Sequence, residues 1–159
     1  MEGCEETELT SGAKTVLHAK GTVVILKGKI IELYCGDQGI QNKLTALNVQ
    51  GLTALQELYC YNNQLTALNV QGLTALQWLE CCGNQLNADT FKKLFDDLPQ
   101  RADSDNAKCI LYTEESGVSE GNHTDFTAPP DLADTFNDAK NNKKWKMYKR
   151  NGSWPGVEI

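Results

Sequence analysis

Residues 43–63, KLTALNVQGLTALQELYCYNN, are followed directly by residues 64–84, QLTALNVQGLTALQWLECCGN. The two segments are identical at 16 of 21 positions. The stretch LTALNVQGLTALQ is unchanged, and four of the five differences lie in the segment after it. Such a short and close repeat indicates that one structural unit recurs every 21 residues and that neighbouring units stack on each other.

Each unit contains the pattern L-x-x-L-x-C-x-x-N-x-L, which begins at Leu55 and again at Leu76. Residues 30–44 contain a related copy that is interrupted by four extra residues within GDQGIQNK. Alternation along a short strand points the second apolar residue and the cysteine into the interior. The asparagines lie 21 residues apart, so they should stack and bond open backbone groups. The members of this predicted structural ladder are Cys35, Cys60, Cys81, Asn42, Asn63 and Asn84.

The pattern resembles that of the leucine-rich-repeat superfamily, and most closely the cysteine-containing repeats of internalin-type bacterial surface proteins. The resemblance covers residues 30–98. It implies an α/β fold, a short right-handed leucine-rich-repeat solenoid with a parallel sheet on its concave side. It also implies a secreted or cell-surface protein that binds a protein or other macromolecular partner through the concave sheet.

The flanking segments are predicted to cap the repeats within a single domain of residues 1–159. Residues 1–29 predict a strand-rich N-terminal cap, and the repeat units occupy 30–86. In residues 87–159, apolar spacing predicts helices over about 88–98 and 131–142, and strands in NAKCILYTE and WKMYKR. Alternating strands and helices continue a parallel sheet, so we predict a βαβαβ-like C-terminal cap. The polar segment 114–130 is predicted to be a mobile loop.

The six cysteines favour packing over chemistry, although two alternatives stay open. Their spacing matches no zinc motif. Distance alone allows a disulfide between neighbouring strands, but such side chains point side by side into the interior. Cys82 is predicted to be exposed on the concave face and to be the most reactive thiol. Gly3-Cys4 is similar to a lipoprotein cleavage site, but Glu2 does not fit that motif and no signal peptide is predicted.

Composition and motifs argue against catalysis, membrane insertion and nucleic-acid binding. The net charge is −6, and no apolar run approaches the roughly 18 residues of a membrane helix. The chain has no phosphate-binding, hydrolase or metalloprotease motif. We therefore predict no enzymatic activity, no metal and no cofactor. The basic run KNNKKWKMYKR allows a polyanion patch, but a cationic helix end followed by an edge strand is the favoured interpretation.

The outward positions of the three repeat strands combine aromatic and acidic side chains. Three of the five repeat differences fall here. This composition is enriched at binding hot spots. The predicted partner-binding residues are Glu32, Tyr34, Glu57, Tyr59, Tyr61, Trp78 and Glu80. The alternative is a purely structural spacer or capping domain of a larger surface protein, in which the aromatic residues only stabilise the sheet.

Overall fold

The structure, a computed structural model, describes Glu2, Glu5, Ile25 and residues 28–36 and 44–159. The chain divides into two compact units, Met1–Ile30 and Ile31–Ile159. In the first unit, Glu2 and Ile25 form an antiparallel bridge with N···O distances of 3.0 and 2.9 Å. Most of the predicted N-terminal cap lies outside the described residues, as does most of the insertion after Gly36.

The second unit is built on one six-stranded sheet whose strand order follows the chain. Its strands are β1 (Glu32–Tyr34), β2 (Glu57–Tyr59), β3 (Trp78–Glu80), β4 (Lys108–Thr113), β5 (Lys146–Arg150) and β6 (Val157–Glu158). The first five run parallel, and β6 pairs antiparallel with β5. The α/β class and the strands predicted in NAKCILYTE and WKMYKR are therefore confirmed. The short β6 is an addition, and the leucine-rich-repeat solenoid stays a prediction.

The two repeat units have the same backbone turn, as their shared sequence predicts. Gly51 and Gly72 both have a φ of 82°, which glycine adopts without steric cost. In each unit an amide bonds back across the turn, from Thr53 to Gly51 and from Thr74 to Gly72, both at 2.9 Å. The turn redirects the chain toward the next strand of the sheet.

The core lies beneath the sheet, where aligned side chains from successive strands meet. Leu58, Leu79, Cys109 and Met147 occupy one row of the sheet, and all four are fully buried. The apolar residues that follow β2 are also buried; they are Leu65, Leu68, Val70 and Leu73. Register is fixed by this packing, because a slip of one residue would move the row to the opposite face of the sheet.

Two helices connect β3, β4 and β5. The first, α1 (Ala88–Asp97), begins after Asn87, whose side chain accepts a hydrogen bond from the Thr90 amide at 2.9 Å. The second, α2 (Pro130–Asn141), lies where the sequence predicts it. Phe95 of α1 packs edge-on against Phe136 of α2, with 5.4 Å between ring centroids. Within the described part of the chain, neither helix has the length and apolar character needed to cross a membrane.

The polar segment 114–130 is a loop, as predicted, but it is attached to the core by buried side chains. Phe126 is buried and packs edge-on against Phe91 and Phe95 of α1. Asn122 is buried beside β3 and β4. Two isolated residues in a polar segment produce no periodic pattern, so the sequence did not indicate these attachments.

Candidate functional site

The predicted partner-binding residues lie on one face of the sheet, called the aromatic face below. Its members from the repeats are Glu32, Tyr34, Glu57, Tyr59, Tyr61, Trp78 and Glu80. Parallel register aligns the first residues of the strands in one row and the third residues in a second row. Residues two apart in a strand point the same way, so both rows share one face.

Four aromatic rings stand side by side across this face. The rings of Tyr34 and Tyr59 have centroids 3.9 Å apart and planes inclined by 13°. Trp78 lies 6.1 Å from Tyr59, and Trp154 lies 5.3 Å from Trp78. The spacing of Tyr34 and Tyr59 follows from parallel register, which places equivalent residues of neighbouring strands about 4.8 Å apart. Each pair contributes about 0.5–1.5 kcal/mol beyond its buried area, so the row stabilises the sheet by itself.

Three predicted binding residues are buried, so the prediction that they are exposed is wrong. Tyr59 is 7% exposed, Tyr61 6% and Glu80 1%. Arg150 of β5 lies over the Tyr61 ring at 5.2 Å, and its Nη1 is 2.7 Å from Glu80 Oε1. The sequence prediction considered three strands, whereas β4, β5 and the segment after β5 add side chains to the same face.

The exposed side chains on this face include Glu32 and Tyr34 of β1, Lys146 of β5, and Trp154. Tyr34 is 59% exposed and Trp154 63%. A depression of about 230 Å³ is lined by Tyr34, Tyr59, Tyr61, Glu80, Arg150 and Trp154. Two exposed rings therefore border a depression whose lining also includes the ion pair of half-buried Arg150 with buried Glu80.

The polar groups near these rings form hydrogen bonds and ion pairs with one another, and burial shifts their pKa values. The Tyr59 hydroxyl donates to Glu57 Oε2 at 2.7 Å. Burial raises the pKa of Tyr59, and hydrogen bonds with Tyr34 and Glu57 add to the effect, so the hydroxyl stays a donor at neutral pH. Burial also raises the pKa of Glu80, an effect that the Arg150 guanidinium opposes.

Replacing Glu80 by glutamine should remove a pH dependence of stability. The pKa of Glu80 is higher in the folded chain than its ordinary 4.5, so the folded state binds the proton more tightly. Its contribution to the free energy of unfolding is therefore greatest below pH 4.5 and falls as the pH rises through the folded pKa. Urea denaturation at a series of pH values should give a wild-type minus Glu80→Gln difference that declines across this window. A difference that rises with pH would contradict the assignment.

The cysteines among the described residues form no disulfide bond with one another; they are Cys35, Cys60, Cys81, Cys82 and Cys109. Burial raises the pKa of Cys35 to about 12 and also raises that of Cys60. A hydrogen bond with Cys109, followed by burial, raises the pKa of Cys81. The thiolate is the nucleophile and the metal ligand, so the raised pKa values make Cys35, Cys60 and Cys81 unreactive near neutral pH. They fill space as small apolar side chains do.

Cys82 shares the aromatic face, but the prediction that it is exposed and reactive is wrong. It is 1% exposed and packs with Tyr59, Tyr61, Ile110 and Tyr148. Burial raises its pKa, and the nearby Glu80 carboxylate adds to the effect. Cys4 lies outside the described residues.

Asn63 and Asn84 connect neighbouring units by the same set of hydrogen bonds. Oδ1 of each accepts a backbone N–H from 19 residues earlier in the chain, from Leu44 and Leu65 respectively, at 3.0 Å. Nδ2 of each donates to two cysteine carbonyls, one from each unit, at 2.9 to 3.1 Å. These asparagines therefore satisfy backbone groups that the stacking of units leaves open. Asn42, the first predicted member, lies outside the described residues.

Asn122 extends this arrangement, although the sequence did not indicate it. Its Oδ1 accepts the Leu86 amide at 2.9 Å, and its Nδ2 donates to the carbonyls of Cys81 and Leu111, both at 2.9 Å. Gly121 allows the approach, because a Cβ there would lie 2.3 Å from the Asn84 carbonyl oxygen. The only sequence signal is the G-N pair, which also occurs as Gly83-Asn84.

Several cations of the basic run form contacts within the fold. Lys143 Nζ donates to the last-turn carbonyls of α1, Phe95 at 2.8 Å and Asp96 at 2.6 Å. Lys149 pairs with Glu114 at 2.8 Å, and Arg150 pairs with Glu80. A cation at a helix C-terminus complements the helix dipole. These contacts favour a structural role for the run over a polyanion patch.

Comparison with protein-family models, with curated proteins and with solved structures gives no match. In the part of the chain that the structure describes, no three His, Cys, Asp or Glu side chains come together as a metal site requires. The absence of a cofactor and of enzymatic activity stays a prediction. What the chain does has to be inferred from the aromatic face.

Proposed function

We propose that this chain is a non-catalytic leucine-rich-repeat module that binds a protein partner through the aromatic face at a bacterial cell surface. One observation carries the proposal. Among the described residues, the large aromatic side chains left exposed are Tyr34 and Trp154, and both border the same depression on that face. Aromatic rings on a rigid sheet bury a large area at a small entropic cost, which makes them frequent binding hot spots.

The leucine-rich-repeat assignment rests on the agreement between the repeat and the backbone. Units of 21 residues each contribute one short strand, and the strands pair in parallel without a shift in register. Asparagine at a fixed position bonds a cysteine carbonyl of the preceding copy. A leucine-rich-repeat solenoid accounts for all of these features together. The proposed location at a cell surface rests on the resemblance to internalin-type repeats.

The binding proposal is tested at exposed positions, because the buried rings also maintain the fold. Truncating a buried aromatic side chain such as Tyr59 costs about 3–5 kcal/mol of stability. Tyr34→Ala combined with Trp154→Ala should instead weaken partner binding at least about tenfold while the chain stays folded. A pull-down from surface extracts with the intact chain would provide the partner, and titration calorimetry with the purified partner measures the affinity.

The control variant is Val118→Ala, which truncates an exposed apolar side chain in the 114–130 loop. It should bind the partner as the wild type does. Equal affinity of the wild type and the Tyr34→Ala/Trp154→Ala variant would show that the partner binds elsewhere. Circular dichroism distinguishes lost binding from lost folding.

A structural role for the domain is the second candidate, and one observation favours it. Tyr59, Tyr61 and Glu80 are buried, and Arg150 contacts both Tyr61 and Glu80, so much of the aromatic face already has partners within the chain. In a purely structural domain, the Tyr34→Ala/Trp154→Ala variant would lose stability without losing any partner. Denaturation and binding measured on the same variant therefore separate the two candidates.

A further inference from the structure

The first residues of the five parallel strands form a row whose charge changes from negative at β1 to positive at β5. From β1 to β5 the row consists of Glu32, Glu57, Trp78, Lys108 and Lys146. Glu32 and Lys146 are exposed, and Glu57 and Lys108 are half-buried. One end of the aromatic face is therefore acidic, the other end is basic, and an indole ring lies midway between them.

This row is complementary to itself when it is reversed. A two-fold axis running parallel to the strands above Trp78 would place β1 of one copy opposite β5 of another. Glu32 would then face Lys146, and Glu57 would face Lys108. Each contact would occur twice, because in an isologous interface residue i meets j and j meets i. We propose that the aromatic face binds a second copy of this chain in this orientation; the inference rests on the proposed function and names its partner.

The second row of the face consists of Tyr34, Tyr59, Glu80, Ile110 and Tyr148. All of these except Tyr34 are buried within the chain, so Tyr34 is the side chain of this row that would contact the other copy. At the centre of the row, Glu80 of one copy would face Glu80 of the other. Each is buried and paired with Arg150 of its own chain, so two unpaired carboxylates do not meet.

Three of the four charged side chains in the first row are already held in place. Glu57 accepts the Tyr59 hydroxyl at 2.7 Å, and Lys146 Nζ donates to Asn106 Oδ1 at 2.8 Å. Lys108 Nζ lies 5.0 Å from the Trp78 ring centroid. Preorganised side chains lose less entropy on binding. A uniformly basic or acidic partner would be attracted to one end of the row and repelled by the other, whereas a reversed copy is attracted at both ends.

Sedimentation equilibrium of the full chain across roughly 1 μM to 1 mM tests the proposal. The wild type should associate as a monomer–dimer equilibrium. Glu32→Lys/Glu57→Lys and Lys108→Glu/Lys146→Glu should each raise the dissociation constant at least about tenfold, because like charges meet at every pair. An equal mixture of the two variants should associate as a heterodimer at least as tightly as the wild type, since opposite charges meet again.

The control is Lys92→Glu/Lys93→Glu on α1, which makes the same change in net charge as the Lys108→Glu/Lys146→Glu variant. Its dissociation constant should stay within about twofold of the wild type, since the change lies off the proposed interface. If circular dichroism shows that a double variant does not fold, the single variants Glu32→Lys and Lys146→Glu are measured instead. These two exposed positions face each other across the axis. A wild type that is monomeric over the whole range, an equal loss in the control, or a mixture that does not associate would overturn the proposal. A monomeric wild type whose binding to another protein depends on Tyr34 and Trp154 would remove this inference and leave the proposed function intact.

Discussion

Replacing Asn84 by alanine should lower the free energy of unfolding by about 4 kcal/mol. Asn84 is 2% exposed, and its side chain bonds Leu65 N–H and the carbonyls of Cys60 and Cys81. Alanine would leave the buried Leu65 N–H without its acceptor, at roughly 1–3 kcal/mol. The carbonyls of Cys60 and Cys81 would keep their bonds from Asn63 and Asn122 but lose the bond from Asn84, at about 0.5–1.5 kcal/mol each. Urea denaturation should show a lower midpoint with an unchanged m-value.

Two further variants identify the source of this loss. Asn69→Ala removes the hydrogen bond that the exposed Gln71 N–H donates to Asn69 Oδ1, and water can replace it, so this variant should cost less than about 1 kcal/mol. Asn84→Asp keeps an oxygen acceptor but directs a carboxylate oxygen at two carbonyls, so it should cost as much as alanine at neutral pH. Equal losses in Asn84→Ala and Asn69→Ala would mean that the ladder does not hold the units together.

Periodicity explains why the sequence indicated some parts of this ladder and not others. Asn63 and Asn84 occupy the same place in two nearly identical units, so alignment alone reveals them. Asn122 makes equivalent bonds but follows α1 and β4, whose lengths break the 21-residue period. Its role depends on the loop 114–130 returning to the sheet, which no local pattern encodes.

The aromatic face also combines features that the local sequence predicts with features that depend on residues far along the chain. Alternation within a strand is local, so the sequence predicted that Tyr59, Tyr61 and Trp78 share a face. Their burial depends on Arg150 and Trp154, which lie about 70 residues or more further along the chain. The change from acidic to basic along the first row could likewise not be predicted without the register of β4 and β5. One residue of slip would remove Lys108 and Lys146 from the row.

Glu120→Ala should lower the free energy of unfolding by about 3 kcal/mol. The Glu120 carboxylate accepts hydrogen bonds from three backbone amides. Both of its oxygens lie within 3.0 Å of Gly83 N, one lies 2.6 Å from Thr113 N, and one lies 2.8 Å from Asn122 N. Hydrogen bonds to a carboxylate are charge-assisted and stronger than neutral ones. The control Glu114→Ala removes an exposed carboxylate that pairs with Lys149, and it should cost at most about 1 kcal/mol.

Amide hydrogen exchange would show how far the effect of Glu120 extends. Gly83 and Thr113 should lose protection in Glu120→Ala, because their acceptor is gone. The Leu86 amide does not contact Glu120; its acceptor is Asn122 Oδ1. If Glu120 positions Asn122 by holding the Asn122 amide, Leu86 should lose protection as well. Unchanged protection at Leu86 would limit Glu120 to its own three amides, and a stability loss no larger than that of Glu114→Ala would exclude even that role.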